Sequence, residues 1–186
     1  RSLKPAVDGN DVTLTISSSL QWYAQNSLAA RMKEVGAKSG TVVVMDAKNG
    51  NLLSVASYPT FNPNTDIGKK GAKLGNVAFS EVFEPGSTSK IMTIAAALEE
   101  GTVTPSTPVI IPNRLKRYDA SFKDSHDHPT LYRTVAGTLA ESSNIGTVLV
   151  SETMTSKTLE TYFRKFGLGQ RSGTGYPGES GGLLAK

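Results

Sequence analysis

The sequence predicts an α/β chain of α+β type, in which a β-hairpin of an antiparallel sheet is joined to a helical subdomain. Three observations predict it. Thr41-Val-Val-Val-Met45 is a β-branched run, and an Asn49-Gly50 turn separates it from a second run, Leu52-Leu-Ser-Val-Ala56; that is hairpin chemistry. Ahead of it, Leu20, Tyr23, Ala24, Leu28, Met32 and Val35 recur at three- and four-residue steps, the mark of an amphipathic helix. Beyond residue 84 helical spacing dominates, broken by one proline-rich stretch.

Taken in order, Asp11 to Ile16 alternates polar and β-branched residues and predicts a short strand. Ser17, Ser18 and Ser19 offer hydroxyl caps to the first helix, and Gly36 stops it. The hairpin follows, its first strand expected to be buried on both faces. Tyr58 to Asn64 is a loop, and residues 65–80, rich in Gly and Lys, predict exposed irregular chain. Glu84-Pro85-Gly86 breaks the backbone before a helix over Ser87–Glu100, whose apolar stripe is Ile91, Ile94, Ala95 and Leu98 and whose stop is Gly101. Residues 102–130 carry Pro105, Pro108, Pro112 and Pro129, so short strands and loops are expected. Helices are predicted at Leu131–Leu139, Asn144–Met154 and Lys157–Phe166, and residues 167–182 are Gly-rich loop. The hairpin is left with exposed edges, and since a lone two-stranded hairpin is marginal, the sheet is expected to continue in chain outside these residues.

Composition removes several classes of function. The 186 residues carry 20 Lys+Arg against 16 Asp+Glu, a net charge of +4, and the basic residues are scattered. Their densest cluster, Arg114, Lys116 and Arg117, falls short of a nucleic-acid footprint. No cysteine is present, which excludes disulfides, thiolate metal sites and cysteine nucleophiles. No apolar run approaches the ~18 residues of a membrane span. The chain opens on Arg1 rather than Met and shows no signal peptide, so it reads as a portion of a longer protein, with any targeting segment left behind.

Two motifs carry chemistry. Ser87-Thr88-Ser89-Lys90 is the sole Ser-x-x-Lys of the chain and falls where a Pro-Gly turn opens an apolar helix. Positions i and i+3 share a helix face, which puts Lys90 Nζ within reach of Ser87 Oγ, on the side of Ile91 and Ile94. A serine hydroxyl needs a neighbouring base to become a nucleophile, and a lysine can serve once burial favours its neutral form. The helix start adds N–H groups near a developing oxyanion. The same residues also read as a helix cap followed by a surface lysine. The second motif, Ser142-Ser143-Asn144, is the sole Ser-x-Asn. Ser142 could relay a proton, since a hydroxyl both donates and accepts. Asn144 could hold the Lys90 amine or a substrate amide carbonyl; capping of the following helix is the competing reading.

Together these motifs resemble the penicilloyl-serine transferase superfamily. Glu84-Pro85-Gly86-Ser87-Thr88 is similar to the nucleophile turn of class B penicillin-binding proteins, the monofunctional D,D-transpeptidases. The resemblance continues through Val12–Gln21, Val43–Ala56, Phe166–Gly169 and Pro177-Gly178-Glu179, so that it spans about residue 9 to the end. It implies the penicillin-binding-protein/serine β-lactamase-like transpeptidase fold, Ser87 as acyl-enzyme nucleophile, Lys90 as its base, and Ser142 and Asn144 in proton relay and substrate binding. It also implies peptidoglycan stem peptides ending in D-Ala-D-Ala as donors, acylation by β-lactams, and no metal or other cofactor. For the full-length parent it implies division or elongation machinery proteins as partners at the extracytoplasmic face of a bacterial membrane, reached only through an N-terminal anchor missing from this chain, and no nucleic acid.

One departure qualifies this. The family's third motif, Lys-Thr-Gly on a strand, does not occur: Lys157-Thr158 precedes Leu159, and Arg171-Ser172-Gly173 lies in Gly-rich chain without a β-branched run. Residues 1–186 are therefore expected to be a partial transpeptidase domain, weak or inactive alone, since losing one oxyanion donor costs about 10²–10³ in rate. A serine β-lactamase or β-lactam sensor, and a non-catalytic scaffold of the same fold, remain alternatives. Asp124-Ser125-His126-Asp127-His128 holds the letters of a hydrolytic triad, but neighbours in one loop cannot stack as nucleophile, base and orienter. It reads as a polar loop beside the cleft, to which His126 or His128 could hydrogen-bond. Trp22, the single tryptophan, reads as a packing residue.

Overall fold

The computed structural model describes residues 5, 7–65, 67 and 74–184, and the chain divides into two compact units, residues 1–81 and 82–186.

In the first unit, the Ser17 hydroxyl accepts from Leu20 N–H at the start of helix α1 (Ser18–Val35), and Gly36 ends it at φ 63°. That left-handed geometry is one only glycine takes without cost. Strands β1 (Gly40–Met45) and β2 (Leu52–Tyr58) pair antiparallel from Gly40↔Tyr58 to Met45↔Leu52. The turn between them is held by Asp46, whose carboxylate accepts from Lys48 N–H and the Asn49 amide. Ala24, Leu28 and Met32 of α1 pack on Ala56, with Val42 and Tyr58 at the rim.

Helix α1 also covers the outer edge of β2. Gln21 donates to Val55 O and accepts from Val55 N–H, Gln25 donates to Ser57 O, and Ser17 N–H donates to Leu53 O. Those are alternate residues of one strand, the backbone groups a further strand would otherwise have taken. This revises two expectations. Residues 11–16 form no regular strand, because side-chain amides already occupy the edge; only Thr15 reaches it, donating to Leu52 O. Of the hairpin's edges, β2 is covered. Strand β1 is not buried on both faces either: its residues alternate half-buried and exposed, with Val43 and Met45 outward. Trp22 is 69% exposed and is no packing residue. A short helix α2 (Val77–Ser80), capped by Asn76, falls where irregular chain was expected. Residues 66 and 68–73 of that stretch lie outside the described residues.

The second unit opens with a 3₁₀ turn, Gly86–Thr88, leading into α3 (Ser89–Glu99). Strands β3 (Pro108–Ile111), β4 (Leu115–Arg117), β5 (Ala120–Phe122) and β6 (Leu131–Thr134) precede α4 (Val135–Ala140), α5 (Asn144–Ser151) and α6 (Ser156–Lys165). Strand β3 pairs with β6, and β4 with β5, both antiparallel. The core gathers Ile94 and Ala97 of α3, Val109 and Ile111 of β3, Val135 of α4, and Ile145 and Val150 of α5. Helices α4 and α5 approach so closely that a Cβ on Gly146 would lie 2.5 Å from Thr138 Cγ2.

Two expectations are corrected here. Leu131–Thr134 is strand rather than helix; an aromatic residue and threonine follow Pro129, and β3 supplies a partner edge. The Thr134 hydroxyl then accepts from Gly137 N–H and starts α4. The buried face of α3 is Lys90, Thr93, Ile94, Ala96 and Ala97, whereas Ile91 is 58% exposed. Lys90 thus sides with Thr93, Ile94 and Ala97 and not with Ile91. The proline-rich stretch forms short strands and loops, and residues 167–182 are loop, as expected.

Candidate functional site

The four residues singled out by their motifs all belong to the second unit. Ser87 lies in the 3₁₀ turn that opens α3 and is exposed. Gly86 precedes it at φ 58°, the left-handed turn that allows the chain to swing into the helix. The turn is tied locally: Thr88 Oγ1 donates to Pro85 O and Ser89 Oγ to Gly86 O. The Ser87 hydroxyl makes no hydrogen bond among the described residues.

Lys90, one turn on, is 7% exposed. Its Nζ donates to the Ser142 carbonyl and to Ser142 Oγ, the latter at 3.1 Å. Burial lowers its pKa from the ordinary lysine value, and the negative charge of Asp124 partly opposes the shift. Such an amine sheds its proton more readily than a surface lysine.

Ser142 sits between α4 and α5 with φ 55°. A serine in the left-handed region carries strain on the order of 1 kcal/mol. It is over-determined there: Ser142 N–H donates to Leu139 O, Ser143 N–H to Thr138 O, and Lys90 to the Ser142 carbonyl. Asn144 is exposed and begins α5; its carboxamide N donates to Lys123 O at 2.8 Å. The expectation that Asn144 could hold the Lys90 amine therefore does not describe this arrangement. One amide N–H and the carbonyl oxygen of Asn144 stay without a partner among the described residues, so the substrate-amide alternative keeps both a donor and an acceptor.

Sequence reasoning passed over Asp124. Its buried carboxylate accepts from Ser143 Oγ at 2.8 Å, Asn144 N–H at 2.5 Å and Ile145 N–H at 3.0 Å. His128 Nε2 lies 3.2 Å from Oδ2, with Nδ1 2.7 Å from Pro129 O. Burial opposes ionisation of Asp124, but the hydrogen bonds from Ile145, Ser143, Asn144 and His128 prevail and lower its pKa. Gly146 N–H completes the cap on Ser143 Oγ at 2.8 Å. Twenty residues separate Asp124 from Asn144, so no local spacing signals the pair. The one clue was the polar loop 124–128 itself, of which His128 does hydrogen-bond within the site.

The Arg171-Ser172-Gly173 stretch is loop, where Ser172 N–H donates to Glu179 Oε1 at 2.7 Å. A cleft of about 310 Å³ lined by Ala95, Glu99, Tyr162, Lys165 and Phe166 touches none of the four motif residues. Among the described residues no group of three or more His, Cys, Asp or Glu could hold a metal ion. No helix there is long and apolar enough to cross a membrane.

The comparisons with known proteins agree with one another. The family model described as the penicillin-binding protein transpeptidase domain matches residues 40–186. The penicillin-binding protein PbpB of Mycolicibacterium smegmatis is 38% identical over 185 residues, which is 99% of this chain and 28% of that protein. The peptidoglycan D,D-transpeptidase FtsI of Escherichia coli K12 is 33% identical over 175 residues, 94% of this chain and 29% of that protein. Among solved structures, penicillin-binding protein 3 of Mycobacterium tuberculosis complexed with ampicillin superposes with a TM-score of 0.92 at 37% identity, covering 99% of this chain and 41% of that one. The chain thus spans under a third of the length of these curated relatives. With four-fifths of its residues under one family model, its fold shared with solved members and both catalytic-type motifs present, the chain belongs to the penicillin-binding protein transpeptidase domain family.

Proposed function

We propose that this chain is a partial transpeptidase domain, residues 1–186, and that it carries the acylation machinery of a peptidoglycan D,D-transpeptidase. Ser87 is the nucleophile, Lys90 its base, Ser142 the proton relay and Asn144 a substrate-binding group. The observation that carries this reading is the Lys90 amine, buried, bonded to Ser142 and one helical turn from an exposed serine at a helix start.

In this reading neutral Lys90 takes the Ser87 proton as Oγ attacks the carbonyl of the penultimate D-Ala of a stem peptide. The protonated amine passes a proton through Ser142 Oγ to the departing terminal D-Ala nitrogen, and an acceptor amine then attacks the acyl-serine. Ser87 and Lys90 need not touch in the empty site, because catalytic hydrogen bonds tighten when substrate arrives. A β-lactam would acylate the same hydroxyl. Because its substrate would be peptidoglycan, the whole protein would act at the extracytoplasmic face of a bacterial membrane, with division or elongation proteins as partners. With no Lys-Thr-Gly in the sequence, acylation of this chain by itself is expected to be slow, by about 10²–10³ for one missing oxyanion donor.

The test is prolonged incubation of the chain with a fluorescent penicillin at saturating concentration, followed through intact mass. A single, slowly formed and long-lived adduct that disappears in Ser87→Ala is the expected result. An adduct that survives Ser87→Ala, or none at all, contradicts the reading. Rapid turnover of the adduct would point to a serine β-lactamase instead.

A further inference from the structure

Resting on that reading of Lys90 and Ser142, we propose that Asp124 is the positioning residue of the site: its buried carboxylate clamps the Ser142–Asn144 loop and presents a negative charge toward the Lys90 amine.

The clamp is specific in its chemistry. Oδ1 takes the first two free N–H groups of α5, Asn144 and Ile145, while Oδ2 takes the Ser143 hydroxyl and faces His128. Helix starts expose unsatisfied N–H groups, and a carboxylate there is favoured by both hydrogen bonding and the helix dipole. The adjoining Lys123 carbonyl holds the Asn144 side chain. Two adjacent residues, through the Lys123 carbonyl and the Asp124 carboxylate, therefore fix Ser143 and Asn144 together, and through Ser143 the strained Ser142 that meets Lys90. Ser142 and Asn144 have partners of their own, yet neither could keep its place if α5 shifted at its first turn.

The charge acts separately from the clamp. Asp124 and Lys90 form no direct ion pair, but the carboxylate's field favours the protonated amine and so opposes the effect of burial. From the loop before α5, the Ser142 carbonyl and hydroxyl bond the amine, and neither titrates as an acid or base in the working pH range. His128, on the Asp124 loop, is the other titratable group against the carboxylate. Asp124 thereby sets how much of the Lys90 amine is neutral at a given pH.

The test uses the 186-residue chain labelled with [¹³Cε]lysine, with Lys90 assigned through Lys90→Arg. Asp124→Asn isolates the charge, because its oxygen can still accept from Asn144 and Ile145. Its amide can donate to the Ser143 oxygen and to His128 Nε2, with His128 protonated on Nδ1 toward Pro129. The titration midpoint of Lys90 is expected to fall by about one pH unit in D124N, and by the same amount when His128→Gln is present in both proteins. An unchanged or higher midpoint overturns the charge role. Asp124→Ala isolates the clamp: amide exchange at Asn144 and Ile145 is expected to speed up at least about tenfold, and unchanged exchange overturns it. If D124A does not fold, D124N carries the same readout, with protection of both amides retained; loss of that protection there would contradict the geometry. None of these measurements uses substrate. A chain inert to penicillin would count against the proposed function and leave the Asp124 result standing, and the converse holds too.

Discussion

The two loops that bring chemistry to the site are built on opposite principles. The turn carrying Ser87 is exposed, tied by hydroxyl-to-carbonyl bonds within its own few residues, and leaves the proposed nucleophile without a hydrogen-bond partner among the described residues. The loop carrying Ser142 and Asn144 is strained at Ser142 and gripped from outside, by Lys90 on α3 and by Asp124 twenty residues upstream of Asn144. Under the proposed roles, the difference teaches how labour would divide in a serine–lysine site. A nucleophile must be approachable and mobile enough to change partners, whereas a relay gains by being fixed before substrate arrives, since preorganised dipoles need no reorganisation during reaction.

The largest effect that could break this comparison comes from Lys90, where the two loops meet. Lys90→Met keeps the buried stem and removes the proposed base, so the penicillin acylation rate should fall by about 10²–10⁴ while the circular dichroism spectrum stays unchanged. A rate within a factor of three of the original would remove the amine from the chemistry. In the unaltered chain the same rate should climb with pH along a limb below the ordinary lysine range, because burial lowers the Lys90 pKa.

Next in size are stability effects. Ile145→Ala, beneath the clamped loop and fully buried, should cost about 2–5 kcal/mol by urea unfolding. Asp124→Ala should cost about 2–4 kcal/mol, since it strands two amides and a buried hydroxyl; a loss under 1 kcal/mol would mean that the clamp is ornamental. The pH sign follows from the folded-state pKa of Asp124 lying below its ordinary value. The carboxylate's contribution is present above about pH 4 and disappears as pH falls through the folded pKa. Stability of D124N should accordingly decline less in acid than that of the parent chain.

How much of this was legible beforehand depends on whether the information was local. The Ser-x-x-Lys and Ser-x-Asn motifs, the Asn-Gly hairpin, the glycine stops and the helix over residues 18–35 are short-range chemistry and were readable. Leu131–Thr134 was misread because four residues at a helix start look helical until the β3 edge is known. The edge of β2 was misjudged because two glutamines of α1 cover it, and nothing in their spacing distinguishes them from surface residues. Asp124 escaped for the same reason: its partners are brought to it by the fold. Even the face of α3 was off by a fraction of a turn, since apolar residues lie on more than one of its faces, and only the packing of the fold selects the one that carries Lys90, Thr93, Ile94 and Ala97.

That last point supplies the smallest prediction. Ile91→Ala, on the exposed side of α3, should change stability by less than about 0.5 kcal/mol, whereas Ile94→Ala should cost about 2–4 kcal/mol. Equal losses would return Ile91 to the core and turn Lys90 out of its buried position.

The most direct measurement is to locate the acyl group. After incubation with penicillin and digestion with trypsin, the adduct should map to the peptide running from Leu74 to Lys90, on Ser87 and on no other hydroxyl. Acylation of Ser89, Ser142 or Ser143, or of a residue outside that peptide, would contradict the assignment of a free nucleophile beside a fixed relay.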